Sequence, residues 1–187
     1  MADIDFEALT HYARSFTGLT PEREALLVEI GPAIRPLLPE VTEAFYADLG
    51  KVPKAAAFIE GRVEGLKATH LTWLESVFTG PFDAAYAARM YHVGDVHVKV
   101  QMPVEFMAAS MTLVGNTLLT TVARVCGGDH DRCIKTNAAV SAVLGFCLMI
   151  MQESYQSSSL AEELDRFLAI TGMSRTLFNN LASAYKA

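Results

Sequence analysis

Two uncharged runs constrain this chain more than any other feature. "FMAASMTLVGNTLLTTVA" (106–123) is 18 residues without a charge, and "TNAAVSAVLGFCLMIMQ" (136–152) is 17. Runs of that length are either membrane spans or long helices covered on more than one side. The first carries a serine, an asparagine and four threonines; the second carries Thr136, Asn137, Ser141 and Gln152. Small polar residues also occur in membrane helices, so they do not decide the matter alone. The link between the runs, "RVCGGDHDRC", holds two arginines and two aspartates and sets up no charge asymmetry. The expected arrangement is therefore a pair of long antiparallel helices. Each would be covered on one face by its own domain and on the other by a second copy of the chain.

The remaining sequence reads as helix, because no stretch alternates apolar and polar residues long enough for a sheet. "TPEREALL" (20–27) is a helix start, with Thr20 as cap, Pro21 in the first turn and acids beside it. Pro32, Pro36 and Pro39 are expected to break that helix, since each lacks an N–H and crowds the preceding turn. Short helical segments follow at 40–49 and 54–61, then longer ones at about 62–79 and 83–100. Pro103 opens the first long helix. The second is expected over about 131–157, ending at "SYQSSS", and each would run about 37 Å. The tail, 159–187, reads as one or two amphipathic helices hinged at Thr171-Gly172. The expected layout is an N-terminal extension (1–19), one domain (20–158), and a helical tail or linker to an output domain in a longer chain.

Composition narrows the function. Apolar residues make up 51% of the 187 positions and charged residues 19%, which calls for a large apolar ligand or a partner. A net charge of −6 with no basic patch points away from nucleic acid and anionic lipid. "MADIDFEALT" lacks an apolar leader core, so a cytoplasmic location is expected. Three widely spaced cysteines do not make a disulfide framework. "CGGDHDRC" (126–133) lacks a fourth zinc ligand nearby and reads as a turn between helices.

Two histidines carry the chemistry. On a helical wheel, Val63, Leu66, His70, Trp73, Leu74 and Val77 fall within about 60° of His70. Tyr86, Met90, Val93, His97 and Val100 line up in the same way, while His92 lies about 140° from His97 and faces out. A single inward imidazole is most often a core residue bonded to a carbonyl. Two on successive helices, which a short turn would make neighbours, suggest a shared site. Neutral imidazole binds iron, copper or zinc. No carboxylate or cysteine shares these stripes, so a bare metal would be short of ligands. Haem brings its own equatorial nitrogens and needs only one or two imidazoles.

"LKATHLTWLESVFTGPFDAAYAARMYHVGDVHVKVQMPVEFM" (66–107) closely resembles the protoglobins and the sensor domains of globin-coupled sensors. The signature is a helix with an "IG-x-x-H-V" element followed by a proline that opens the next helix. Here it stands as "VGDVHVKVQMP" (93–103), together with Phe45-Tyr46 on an early helix. Val93 replaces the usual isoleucine and "VQM" a more usual "IGL". The resemblance covers about residues 20–170, including an extra helix before the globin core.

The resemblance implies an all-α, globin-like fold and haem b, with His97 as the proximal iron ligand. It implies a distal Tyr46 that can donate a hydrogen bond to bound O2. It also places His70 on the distal helix, where two chemistries are open: coordination of iron, which is favoured, or hydrogen bonding to a diatomic ligand. Under coordination, O2, CO or NO would have to displace His70, the differential contact that a switch needs. Candidate walls are Phe45, Phe58, Leu66, Trp73, Leu74, Tyr86, Met90, Val93, Met102, Phe106, Met107 and Phe146. Lys67, Arg89, His92 and Lys99 are available to the propionates. The expected function is sensing of a gas or of redox state, with no catalysis, by a homodimer. The family pairs its last two long helices into a four-helix bundle, and "FMAASMTLVGNTLLTTVA" (106–123) and "AVLGFCLMIM" (142–151) would supply that seam. The alternative is an enzymatic globin acting on NO or peroxide. It would need a reductant, and no G-x-G-x-x-G element is present. A haem-free regulator and a membrane hairpin are the remaining rivals.

Overall fold

A computed structural model describes residues 4–184. Residues 1–3 and 185–187, the outer ends of the expected extension and tail, lie outside it. Every regular element among the described residues is helical. In order they are α1 (Phe6–Thr17), α2 (Pro21–Ile34), a 3-10 turn (Arg35–Leu37), α3 (Leu38–Gly50), α4 (Pro53–Ile59), α5 (Val63–Val77), α6 (Ala84–Lys99), α7 (Val104–Cys126), α8 (His130–Thr171) and α9 (Arg175–Ala184).

Local signals place most helix starts. Asp5 accepts from Ala8 N–H at 2.9 Å, Asp83 from Tyr86 N–H at 2.9 Å, and Asp129 from Arg132 N–H at 3.0 Å. Each satisfies one of the orphan donors of a first turn. "CGGDHD" is the turn between α7 and α8: Cys126 ends one helix and Asp129 caps the next.

Two boundaries differ from expectation. Pro32 lies inside α2 and does not end it. The missing N–H costs one intrahelical bond, but Leu27, Ile30 and Ile34 are fully buried on either side of it and hold the turn in place. The break comes at Pro36, and Pro39 is absorbed in the first turn of α3. The second difference is larger. The helix expected to end at "SYQSSS" runs on through residues 157–159 to Thr171, giving 42 residues in all. Serine is only mildly unfavourable in a helix, and Leu160, Leu164 and Leu168 continue the i, i+4 spacing beyond it. The helix stops at Gly172, whose φ of 68° is left-handed backbone that favours glycine.

α8 is the central strut, packed against α1, α2, α6 and α7, while α3 packs against α4, α5 and α7. Phe82, Tyr86 and Phe146 form an aromatic knot where α6 meets α8, with centroids 5.0–6.3 Å apart. By length and composition, α7 and α8 could each cross a bilayer, and half of the most apolar window of α8 is buried in the domain. α5 and α6 are not close neighbours, contrary to the expectation from the short link between them. A cavity separates them.

Candidate functional site

That cavity has a volume of about 460 Å³ and is walled by α3 to α7, with Met151 of α8 at one side. This is in the range of cofactor sites, roughly 300–1,000 Å³. α5 contributes Leu66, His70 and Trp73; α6 contributes Met90, Val93 and His97; α3 contributes Phe45 and Tyr46. Phe58, Met102 and Met107 also line it. The two inward histidines therefore face one space from opposite helices rather than touching each other.

His70 is fixed on two sides. Its ring stacks on Phe45 at 4.6 Å with planes 9° apart, and Tyr46 meets it edge-on at 5.7 Å. Its Nδ1 lies 3.1 Å from Oγ1 of Thr42, and its Nε2 is buried with no hydrogen-bond partner. His97 sits in the last turn of α6, and its Nδ1 is buried without a partner. No carbonyl or other acceptor among the described residues holds that nitrogen. What is fixed is the backbone around it. Met102 N–H donates to the His97 carbonyl at 3.0 Å, and Tyr155 Oη of α8 donates to the Met102 carbonyl at 2.6 Å. Ring nitrogens left unpaired inside a protein are costly, and at the wall of a cavity they are open to a ligand.

Burial keeps both imidazoles neutral: it lowers the His70 pKa to about 4 and lowers that of His97 as well. Burial also pushes the Tyr46 phenol up to about 12, so its hydroxyl stays a donor at neutral pH. Neutral imidazole is the metal-binding form. A base whose folded pKa lies below its unfolded value of about 6.5 takes up a proton on unfolding. The cofactor-free chain is therefore expected to lose stability as pH falls from about 6.5 toward 4. Urea midpoints at pH 7 and pH 5 check this, and His70→Phe should flatten the difference.

Four residues expected in the wall are elsewhere. Leu74 is fully buried one turn beyond His70, inside the core rather than at the cavity. Tyr86 shares the wheel position of His97 but lies about 16 Å farther along the helix axis. Its hydroxyl is 3.1 Å from Ser76 Oγ and 3.6 Å from Cys147 Sγ, in the aromatic knot. Phe106 stands behind the wall, edge-on to Phe58 at 5.7 Å. Phe146 belongs to the same knot as Tyr86.

The cations sort in the same way. Lys67 is paired with Glu43 at 2.8 Å and Glu64 at 3.3 Å, and Arg89 lies over the Tyr86 ring at 5.2 Å. Lys99 is exposed and does not line the cavity, whereas exposed His92 does. Arg62, which the sequence did not single out, joins His92 on the lining. Sequence reasoning also missed Ser110, Met111, Val114 and Met151, which come from the long helices.

An all-α domain with two neutral imidazoles facing one apolar cavity has the architecture of a globin-like ligand-binding protein. The comparisons with known proteins agree. The globin domain of the Geobacter sulfurreducens globin-coupled sensor is 25% identical, with a TM-score of 0.72 over 78% of this chain and 96% of that one. The globin domain of E. coli DosC in its ferric form has 18% identity and a TM-score of 0.65, over 78% of this chain and 99% of that one. Its ferrous form gives a TM-score of 0.59 at 18% identity, over 74% and 97%. These last two show the fold alone. No curated protein matches. The Protoglobin family profile matches residues 6–161, and the chain belongs to that family.

Proposed function

We propose that the chain is a haem-binding sensor globin whose cavity holds haem b between His97 and His70. The observation that carries this reading is the pair of buried neutral imidazoles on opposite walls, each with a ring nitrogen that no protein group satisfies. The walls fit the group: Phe45, Trp73, Met90 and Val93 offer apolar cover, and Arg62 offers a cation to its carboxylates. Bound there, haem supplies an iron that can take O2, CO or NO at an axial position.

His97 is the proximal ligand in this reading. It stands on the wall opposite Phe45 and Tyr46, at the end of a helix anchored through Met102 to α8. His70 is the displaceable ligand of the other face. Tyr46, held protonated, is the donor available to a bound gas. The chain's role is to report occupancy, not to turn over substrate. A homodimer forms through α7 and α8, where Met111, Gly115, Leu144 and Gly145 line a groove between the two helices. In a longer protein, α8 would lead to an output domain. The cysteines are free, which fits a cytoplasmic location.

Absorption spectra of the ferric and ferrous protein test the reading. The wild type is expected to be low-spin and six-coordinate, and His70→Ala five-coordinate. A high-spin wild type would remove His70 from the iron and leave the globin reading standing. Steady turnover of NO or peroxide would favour the enzymatic alternative.

A further inference from the structure

The side chain that holds His70 is Thr42, on α3 and 3% exposed. Its Oγ1 lies 3.1 Å from His70 Nδ1. Several other helical threonines of this chain return their hydroxyl proton to a carbonyl three or four residues back, while Thr10 and Thr136 have no partner among the described residues. Thr17 donates to Ala13, Thr72 to Ala68, Thr112 to Ala108 and Thr117 to Leu113, at 2.8–3.1 Å. Thr42 makes no such bond among the described residues, so Nδ1 is the one acceptor its hydroxyl has.

That fixes the direction of the bond. A neutral imidazole has one N–H and one lone pair on its two nitrogens. If Nδ1 carried the proton, it would donate to Oγ1, and both the Thr42 hydroxyl proton and the Nε2 lone pair would be left without a partner. If Nδ1 is the acceptor, the hydroxyl and Nδ1 satisfy each other, and the Nε2–H at the cavity is the one group left for a ligand to meet. We propose that Thr42 is a positioning residue that holds His70 as its Nε2–H tautomer, making the ring a hydrogen-bond donor and a weakened iron ligand.

The second half of this statement rests on the haem reading above. To bond iron through Nε2, His70 must release that proton and gain one at Nδ1, with no net change in charge. The Thr42 hydroxyl must then turn away and accept from Nδ1–H, losing the partner for its own proton. Thr42 thus opposes coordination without blocking it, which is the property a displaceable ligand requires. It differs from the usual support of a metal-bound histidine, whose carbonyl or carboxylate partner accepts the ring N–H without a proton of its own to strand.

The two readings predict opposite signs for one substitution. Thr42→Val keeps the shape and removes the hydroxyl. It is expected to tighten His70 on the iron and to slow CO binding to the ferrous protein by about fivefold or more. Thr42→Ser should behave as wild type. Faster CO binding in Thr42→Val, or an unchanged rate, would overturn the proposal. A second measurement needs no haem and no variant: nitrogen NMR of histidine-labelled, cofactor-free protein at pH 7. Protonated Nε2 and unprotonated Nδ1 at His70 are expected. Protonated Nδ1 would overturn the tautomer assignment even if the chain binds haem. Should the chain bind none, the haem reading fails while the NMR result still stands by itself.

Discussion

His97→Ala is expected to strip the protein of haem while leaving it folded. The apolar walls remain in the variant, so a hydrophobic ligand still gains from entering. It loses the one directional bond on the proximal side. His70 on the opposite wall is left as the sole axial ligand, and a weak one while Thr42 holds its Nδ1. Loss of an outer-shell partner alone costs a metal site 10–100-fold, so loss of the ligand itself should lower retention by roughly 100-fold or more. The measurement is the rate at which haem passes to an excess of a scavenging apoprotein. His92→Ala is the control, since that ring is exposed at the lining and not on the inward stripe. It should lose far less. His97→Gly with added imidazole should recover the spectrum, which a variant that had merely unfolded could not do. Haem held as firmly by His97→Ala as by the wild type would end the proximal assignment.

The sequence carried the stripe but not the position along it. A wheel places Tyr86 and His97 at nearly the same angle and says nothing of the three turns between them. Tyr86 consequently faces Cys147 and Phe146 while His97 faces the cavity. Leu74 fails for a related reason: it sits at the edge of the His70 stripe, and one turn of helix carries it into the core. The histidines themselves were legible because a polar ring among apolar neighbours stands out in any helical projection. Thr42 was not, because its partner is 28 residues away and a threonine on an apolar face looks ordinary. The length of α8 was misread because three serines resemble a stop, while the leucines after them carry weaker punctuation than a glycine or proline would. Gly172 did mark the true end.

The largest effect on stability is expected at Gly94, one turn before His97 on the same helix. α6 and α8 cross there with almost no space between backbones. A Cβ at this position would come within 2.3 Å of Ser154 Oγ and 2.6 Å of the Met151 carbonyl oxygen. The serine oxygen belongs to a short side chain that could turn. The carbonyl is part of the α8 backbone and can retreat only if the helix moves. Overpacking of this kind costs about 1–3 kcal/mol, or more where backbone must shift. The gain in helix propensity from glycine to alanine, about 1 kcal/mol, works in the other direction. Gly94→Ala should therefore lose about 2 kcal/mol net, lowering the Tm of a domain this size by about 4–8 °C. Gly94→Val adds a branched side chain to the same gap and should lose more. Ser154→Gly in the Gly94→Ala background removes the 2.3 Å contact and leaves the 2.6 Å one. It should recover only part of the loss, because the carbonyl remains. An unchanged Tm in Gly94→Ala would mean that α6 and α8 stand farther apart than this. If the loss is found, it also ties the proximal helix to α8: a shift of α6 at Gly94 must carry α8 with it or open the closest crossing in the core.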